Sequence, residues 1–287
     1  MKRKVFALVL ALVFAALVPC RFAGAVSGPE TFGEFFGLEV HFLDVGQGDC
    51  AVVLCEGESM VIDGGPKAAS RMVYSYILDT LGLRHIDYVV STHPHIDHVG
   101  GLASVLNAVP VDLLLTPALE WDSKAFRSMM EYAALQGTAV VIPGEGDILQ
   151  LGSAVVTVLH CWPEAIAMGR TNDASIVLRI DYGETSFLFT GDAEEWAEYM
   201  MIDAGVNLKA DVLKVSHHGS YTASTEEFVK KVHPAFAVVS CGKGNEYGHP
   251  HDVVMNRLAA VNCTVLRTDQ LGTVVLWSNG KVVRKGL

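Results

Sequence analysis

Basic charge is scarce in this sequence. Its 287 residues carry 21 Lys and Arg against 32 Asp and Glu, a net charge of −11 with histidine neutral. A field of that sign repels polyanions, so any nucleic-acid substrate has to be held locally, by metals and a few cations. Low-complexity segments, heptad runs and internal repeats are absent, and no linker rich in Pro, Gly or Ser interrupts residues 38–287. With 51 % hydrophobic and 18 % charged residues the chain is globular rather than disordered, and 38–287 reads as one domain. No CxxC spacing occurs. Beyond Cys20, the odd set of Cys50, Cys55, Cys161, Cys241 and Cys263 leaves one or two disulfides and buried free thiols both open.

A full membrane-spanning run is also lacking. MKRK precedes the 14-residue stretch VFALVLALVFAALV, which is short of the roughly 20 residues that a span needs. A basic start, a short apolar run and Ala23-Gly24-Ala25 fit a secretory signal peptide over 1–25, with an N-terminal membrane anchor as the alternative. Cys20 follows a proline and matches a lipidation site poorly. Residues 1–25 hold four basic side chains (Lys2, Arg3, Lys4, Arg21) and no acidic one, so removing them leaves 17 basic against 32 acidic, net −15.

What is present is a dense alternation of strand and helix patterns. LEVHFLDV (38–45), CAVVLCE (50–56), SMVID (59–63) and IDYVV (86–90) read as strands, and 71–82 carries helical spacing. GLASVLNAV and SKAFRSMMEYAALQG read as helices, with LLLT and AVVIP as strands. The second half continues in the same way, with AVVTVLH, SIVLRI, TSFLFTGD, DVLKVSHHGS and FAVVSCG as strands, and AEEWAEYMMIDAG, STEEFVKKV and VVMNRLAAV as helices. Mixed hairpins and β-α alternation predict an α/β sandwich of four layers, two sheets face to face with helices outside.

The chemistry concentrates at strand ends. STHPHIDHVGG, following IDYVV, packs His93, His95, Asp97 and His98 into six positions. Imidazole and carboxylate are the ligands that Zn²⁺, Mn²⁺ and Fe²⁺ accept. His93 and His95 can point one way from an extended segment, while Asp97 and His98 face a second position after a turn. One loop thus supplies two ligands to each of two metals. Asp192, at the end of FLFTGD, suits a carboxylate bridging two dications, though a helix N-cap for AEEWAEYM is an alternative use. Of His217 and His218, one completes the second metal and the other donates to substrate. Asp44 and Asp49 flank GQG and either line the site floor or make a structural turn. His249 and His251, in YGHPH, either contact a substrate phosphate or are structural. Ser220 and Lys214 are weaker candidates.

LDVGQGD, THPHIDHVGG, NDASIVL, FLFTGD, KVSHHGS, NEYGHPH and RTDQLG occur in this order within residues 38–277. Together they resemble the metallo-β-lactamase-fold hydrolases, and more narrowly the soluble hydrolase domain of the DNA-uptake competence protein ComEC. The multi-helix membrane channel of that protein has no counterpart here. The resemblance implies a four-layer αβ/βα sandwich over 38–287 with two divalent metal ions, Zn or Mn, at one edge. It implies His93 and His95 on one metal, Asp97 and His98 on the other, and Asp192 between them. The superfamily often adds a further histidine to the first metal; here Asp173 or Asn172 of NDAS stands near that place, with His160 a weaker candidate. Asp63 matches an aspartate that orients metal-bound histidines.

The expected reaction is metal-assisted phosphodiester hydrolysis, with Asp97 taking a proton from the nucleophile and His218 or His249 serving the leaving oxygen. Resemblance favours single-stranded DNA as substrate, in association with a membrane DNA-uptake machinery. The acidic charge favours a smaller or cell-wall-linked phosphodiester. A non-catalytic module holding metal or nucleic acid is the third reading. β-Lactam hydrolysis ranks lower, because HHGS and GHPH point to phosphodiesterases.

Overall fold

The computed structural model describes residues 37–286. The expected leader, residues 1–25, lies outside them. The strands are β1 (Leu38–Phe42), β2 (Ala51–Cys55), β3 (Glu58–Ile62), β4 (Ile86–Val90), β5 (Val111–Leu115), β6 (Ala139–Val141), β7 (Ile148–Leu151), β8 (Ala154–His160), β9 (Val177–Tyr182), β10 (Thr185–Phe189), β11 (Val212–Lys214), β12 (Phe236–Val239), β13 (Thr264–Arg267), β14 (Val274–Ser278) and β15 (Val283–Lys285). The helices are α1 (Ser70–Ser75), α2 (Ile96–Val99), α3 (Leu102–Ala108), α4 (Lys124–Gln136), α5 (Glu164–Ala167), α6 (Glu195–Asp203), α7 (Glu226–Val232), α8 (Asp252–Ala260) and α9 (Thr268–Leu271).

Eight strands form one sheet in the order β15-β14-β1-β2-β3-β4-β5-β6, and seven form the other in the order β13-β12-β11-β10-β9-β8-β7. Each sheet is antiparallel in one half and parallel in the other. β3 to β6 run parallel in the first, β10 to β13 in the second. Three apolar clusters separate four layers. Val40, Phe42, Val53, Ile62 and Val90 meet Val156, Leu178, Ile180, Phe187 and Phe189 between the sheets, where the Phe42 and Phe189 rings stack at 5.6 Å. The other face of the first sheet, with Val52, Val61, Val89 and Leu114, packs on Leu102, Val105, Phe126 and Met129 of α3 and α4. The outer face of the second sheet, with Leu188, Leu213 and Val239, packs on Met201, Phe228 and Leu258 of α6, α7 and α8. Burial on both faces explains why these strands read as continuous apolar runs instead of alternating ones.

Helix ends follow their local chemistry. Ser123 caps α4 by accepting from the Phe126 N–H, and Gly137 stops it in the left-handed region at φ 77°. The helical spacing over 71–82 is realised as α1 followed by a π-helical turn, Tyr76–Thr80. Strands β7 and β15 have no counterpart in the sequence pattern, whereas β13 and β14 fall in the tail TVLRTDQLGTVVLW, which reads as β-rich. Strands expected to run on into DV, TGD and SHHGS end at Phe42, Phe189 and Lys214, so the chemistry-bearing residues sit on the loops beyond. All five cysteines of the described residues are free thiols, four of them buried.

The parallel halves matter for function. The segments after β3, β4, β10, β11 and β12, the carboxyl ends of parallel strands, carry the histidines and carboxylates that meet around Asp192, and Asp49 joins them from the turn between β1 and β2. Crevices at such ends are where open α/β sheets bind ligands.

Candidate metal centre

β4 ends at Val90, and the next turn passes over Asp63 at the end of β3. Asp63 is left-handed at φ 59°, a conformation Asp tolerates better than most residues. One of its oxygens accepts from the Thr92 N–H at 2.8 Å. The other accepts from the Thr92 hydroxyl at 2.7 Å and from His98 Nδ1 at 2.7 Å. A carboxylate only accepts, so His98 carries its hydrogen on Nδ1 and turns the lone pair of Nε2 inward. Two glycines let this loop close: Gly101 lies so near the Gly64 carbonyl that a Cβ has no room, and Gly48, at φ 141°, lies against the Asp97 carbonyl.

The second sheet answers from the opposite side. His217 and His218 are consecutive left-handed residues, at φ 48° and 55°, a strained pair worth of order 1–3 kcal/mol each. His218 Nδ1 donates to the Ser240 carbonyl at 3.0 Å and lies 3.2 Å from an Asp49 oxygen, so its Nε2 also faces inward as an acceptor. His217 Nδ1 lies 3.1 Å from both the Glu194 carboxylate and the Thr222 hydroxyl.

Asp192 is the hub. Its Oδ2 lies 3.2 Å from His98 Nε2, 3.5 Å from His218 Nε2, 3.7 Å from His217 Nε2 and 3.8 Å from His93 Nε2. Asp97 Oδ2 lies 3.3 Å from His218 Nε2 and 3.9 Å from His98 Nε2. His93 Nε2 and His95 Nδ1 are 3.0 Å apart. The inward atoms of Asp97, His98, Asp192 and His218 all fall within 4.8 Å of one another. His98 Nε2, His218 Nε2 and Asp192 Oδ1 are buried with no hydrogen-bond partner. Lone pairs facing lone pairs in a dry pocket repel unless positive charge lies among them. The donor set, imidazole and carboxylate without thiolate, fits divalent zinc or manganese.

The titration behaviour expresses the same demand. Burial opposes charge on His98, yet Asp192, Asp63 and Asp97 push its pKa well above the usual histidine range. Burial likewise opposes charge on His218, and Asp192 and Asp49 overcome it, lifting the pKa to about 10. His217 is raised against burial by Asp192 and Glu194. Burial pushes His93 well down, helped by His98, and also lowers His95. Burial opposes ionisation of Asp192 too, but His218, His98 and His217 hold its carboxyl well below the ordinary value.

The other expected residues fall into place around this hub. Asp49 lies beneath His218 and pairs with the buried Lys214 ammonium at 2.5 Å. Asp44 is exposed and accepts from the Gly46 N–H at 3.2 Å, which is turn chemistry. Asp173 is turned away from the hub: one oxygen accepts from the backbone N–H groups of Glu194 and Ala197 at 3.1 and 3.2 Å, capping the start of α6 from outside. That is the capping duty the sequence left open for Asp192. His160 reaches Glu145 at 3.0 Å and the Asp173 carbonyl at 2.9 Å, outside the centre. Asn172 donates to Glu194 at 3.2 Å and so acts on His217 only through it. The Ser220 hydroxyl bonds Thr222 at 3.0 Å. His249 stands at the rim, its ring 5.7 Å from His217 and 6.1 Å from His218. His251 is one ring further out, 5.1 Å from His249.

Three contributors carried no role in the sequence reading. In NDAS it is Ser175 that touches the hub, accepting from the Asp192 N–H at 3.1 Å and lying 3.4 Å from His93 Nδ1. Glu194, two residues after Asp192, steadies His217. Gln47 of GQG accepts from the Gly242 N–H at 3.1 Å and donates to His249 Nδ1 at 3.4 Å, tying the first motif to the last. Position beside the motif residues was the only signal for each.

A family model described as the metallo-beta-lactamase superfamily matches residues 43–243. Among curated proteins the chain is 33 % identical over 253 residues to ComE operon protein 3 of Bacillus subtilis, covering 82 % of this chain and 32 % of that one. It is 30 % identical over 239 residues to Recombination protein 2 of Haemophilus influenzae, covering 82 % and 28 %. It is 29 % identical over 234 residues to Competence protein ComA of Neisseria gonorrhoeae, covering 80 % and 31 %. The chain therefore spans about a third of the length of these relatives. Among solved structures, the metallo-beta-lactamase fold protein YhfI of Bacillus subtilis superposes with a TM-score of 0.54 at 13 % identity, covering 87 % of this chain and 100 % of that one. A metallo hydrolase from Ignicoccus hospitalis superposes at 0.51 with 16 % identity, covering 83 % and 98 %.

Proposed function

As the chain belongs to the metallo-β-lactamase superfamily, we propose that its metal centre hydrolyses phosphodiester bonds, with single-stranded DNA as substrate. The observation that carries this reading is the ring of four imidazole nitrogens around Asp192 Oδ2, with buried lone pairs facing one another. His93, His95 and His217 would hold one cation, Asp97, His98 and His218 the other, and Asp192 would lie between them. When bound, a zinc or manganese pair supplies an acidified water and neutralises phosphoryl oxygens.

The chain's own groups orient and exclude. Asp97 is 30 % exposed at its side chain and is the carboxylate that reaches toward solvent. Burial works against its ionisation, but His98 and His218 hold its pKa well below the ordinary value. It is thus a weak base that orients an attacking water by accepting its hydrogen bond. His249 is lowered to about 4 by burial and by His218 and His217, so it is neutral at pH 7. With Gln47 donating to Nδ1, its Nε2–H is the donor available to a phosphoryl or leaving oxygen. Phe42 and Phe189 line a small cavity beside the centre together with Asp49, Asp63 and Lys214. The DNA preference is supported by the names of the competence and recombination relatives. Export by a leader over residues 1–25, and work beside a membrane DNA-uptake machine, belong to the same proposal.

A second reading has one observation in its favour. The net charge of −11 suits a small or wall-linked diester better than a polymer. The deciding experiment offers single-stranded DNA and bis-p-nitrophenyl phosphate to the protein with Mn²⁺ or Zn²⁺. Cleavage of both supports the nuclease reading. Cleavage of the small diester alone moves the substrate to the second. Cleavage of neither, with metals bound, overturns phosphodiester hydrolysis and leaves a binding module.

A further inference from the structure

Three rings lead outward from the metal centre. His218 faces Asp192, and the His249 ring lies 6.1 Å from it with 30° between the planes. Tyr247 stacks on His249 in turn, 5.5 Å away and tilted by 23°. Tyr247 is 58 % exposed, a large amount of aromatic surface left in water beside a polar centre. The loop that presents it is held firmly. The Asn245 side chain donates to the Gly242 and His249 carbonyls at 2.9 and 2.7 Å and accepts from the His249 N–H at 2.9 Å. Gln47 fixes both ends of the same loop. Gly219 allows the loop to press on the histidine segment: a Cβ there would meet Pro250 Cβ at 2.5 Å. A second exposed ring, Tyr221 at 65 %, stands edge-on to His251 at 5.1 Å.

We infer that Tyr247 is a stacking platform for a nucleobase of the strand whose phosphate sits at the metal centre. The inference rests on the phosphodiesterase reading above and supplies what that reading lacks, a source of affinity for a polyanion on an acidic protein. Stacking needs no cation, tolerates every base, and contributes roughly tenfold or more in affinity per base. Pre-stacking on His249 removes the cost of ordering the tyrosine at the moment of binding. The rings also set a direction: the base over Tyr247 belongs to the stretch of strand flanking the phosphate at Asp192.

The test compares oligo(dT) with an oligomer of equal length built from abasic tetrahydrofuran units, which keeps the phosphates and removes the bases. The Mn²⁺-loaded wild type, Tyr247→Ala and Tyr247→Trp are assayed on both, and bis-p-nitrophenyl phosphate is offered to the wild type. The expected result is a KM for oligo(dT) about tenfold below that for the abasic oligomer in the wild type. Tyr247→Ala should raise the oligo(dT) KM about tenfold with little change in kcat and erase the difference, and Tyr247→Trp should restore it. Equal KM values for the two oligomers in the wild type, or an unchanged oligo(dT) KM in Tyr247→Ala, overturns the inference. If the wild type cuts bis-p-nitrophenyl phosphate but neither oligomer, the platform falls while phosphodiester hydrolysis stands. If it cuts none of the three, both fall together.

Discussion

Asp63 and His98 share a 2.7 Å hydrogen bond between two wholly buried side chains. This contact decides which ring nitrogen faces the centre: with the hydrogen pinned on Nδ1, the Nε2 lone pair is the one left to take up a cation or, in its place, a proton. The carboxylate also accepts from Thr92 through both the N–H and the hydroxyl, so it fixes the loop and the tautomer at once.

Substituting Asp63→Asn keeps the shape and the tolerance for left-handed backbone but removes the charge. Metal affinity should fall about 10- to 100-fold, measured by competition with a chromophoric chelator. Unchanged affinity would show that His98 is oriented without Asp63.

Protons and cations compete for the same inward positions. His98 and His218 are raised in the metal-free chain, His218 to about 10, because the surrounding carboxylates demand positive charge. Metal binding must displace those protons, so apparent affinity should rise steadily from about pH 6 to about pH 9 and protons should be released. Calorimetry in buffers of different ionisation heat measures both. A flat affinity across that window would contradict the arrangement around Asp192.

Away from the centre, Glu198 is buried in α6 and accepts from the Ser224 and Thr225 N–H groups at 2.5 and 2.8 Å. Burial nevertheless pushes its pKa from 4.5 up to about 7. Below pH 4.5 the carboxyl is protonated in folded and unfolded chain alike. Between pH 4.5 and 7 the unfolded chain releases the proton while the folded one keeps it, so stability falls as pH rises. Above 7 the loss levels off at roughly 3 kcal/mol. In urea unfolding, wild type should lose that much relative to Glu198→Gln between about pH 4.5 and about pH 7.5. A pH-independent difference would rule the ionisation out.

Much of the centre was legible because its ligand types cluster in one short loop. His93, His95, Asp97 and His98 lie within six positions directly after a strand, where chain direction alone brings them together. The four layers were legible too, since strand and helix patterns differ in period and the glycine stops of the helices are plain. Strand ends were not. Two left-handed histidines cut β11 short, and nothing in KVSHHGS marks a histidine as tolerating that conformation. Ser175 and Asp173 show the same difficulty: both are polar, two residues apart, on one turn. Which of them meets Asp192 and which caps α6 depends on how that turn docks against a segment about 20 residues later. The tie from Gln47 to His249 spans 202 positions, beyond any local pattern.

We propose that two cations around Asp192 turn this fold into a phosphodiesterase. The most direct measurement strips the protein of metal and follows bis-p-nitrophenyl phosphate hydrolysis as Mn²⁺ is added in known equivalents. The expected result is no activity without metal and a rise that levels off at two equivalents per chain, with Asp192→Asn inactive throughout. Hydrolysis by the stripped protein, or none with two equivalents bound, would contradict it.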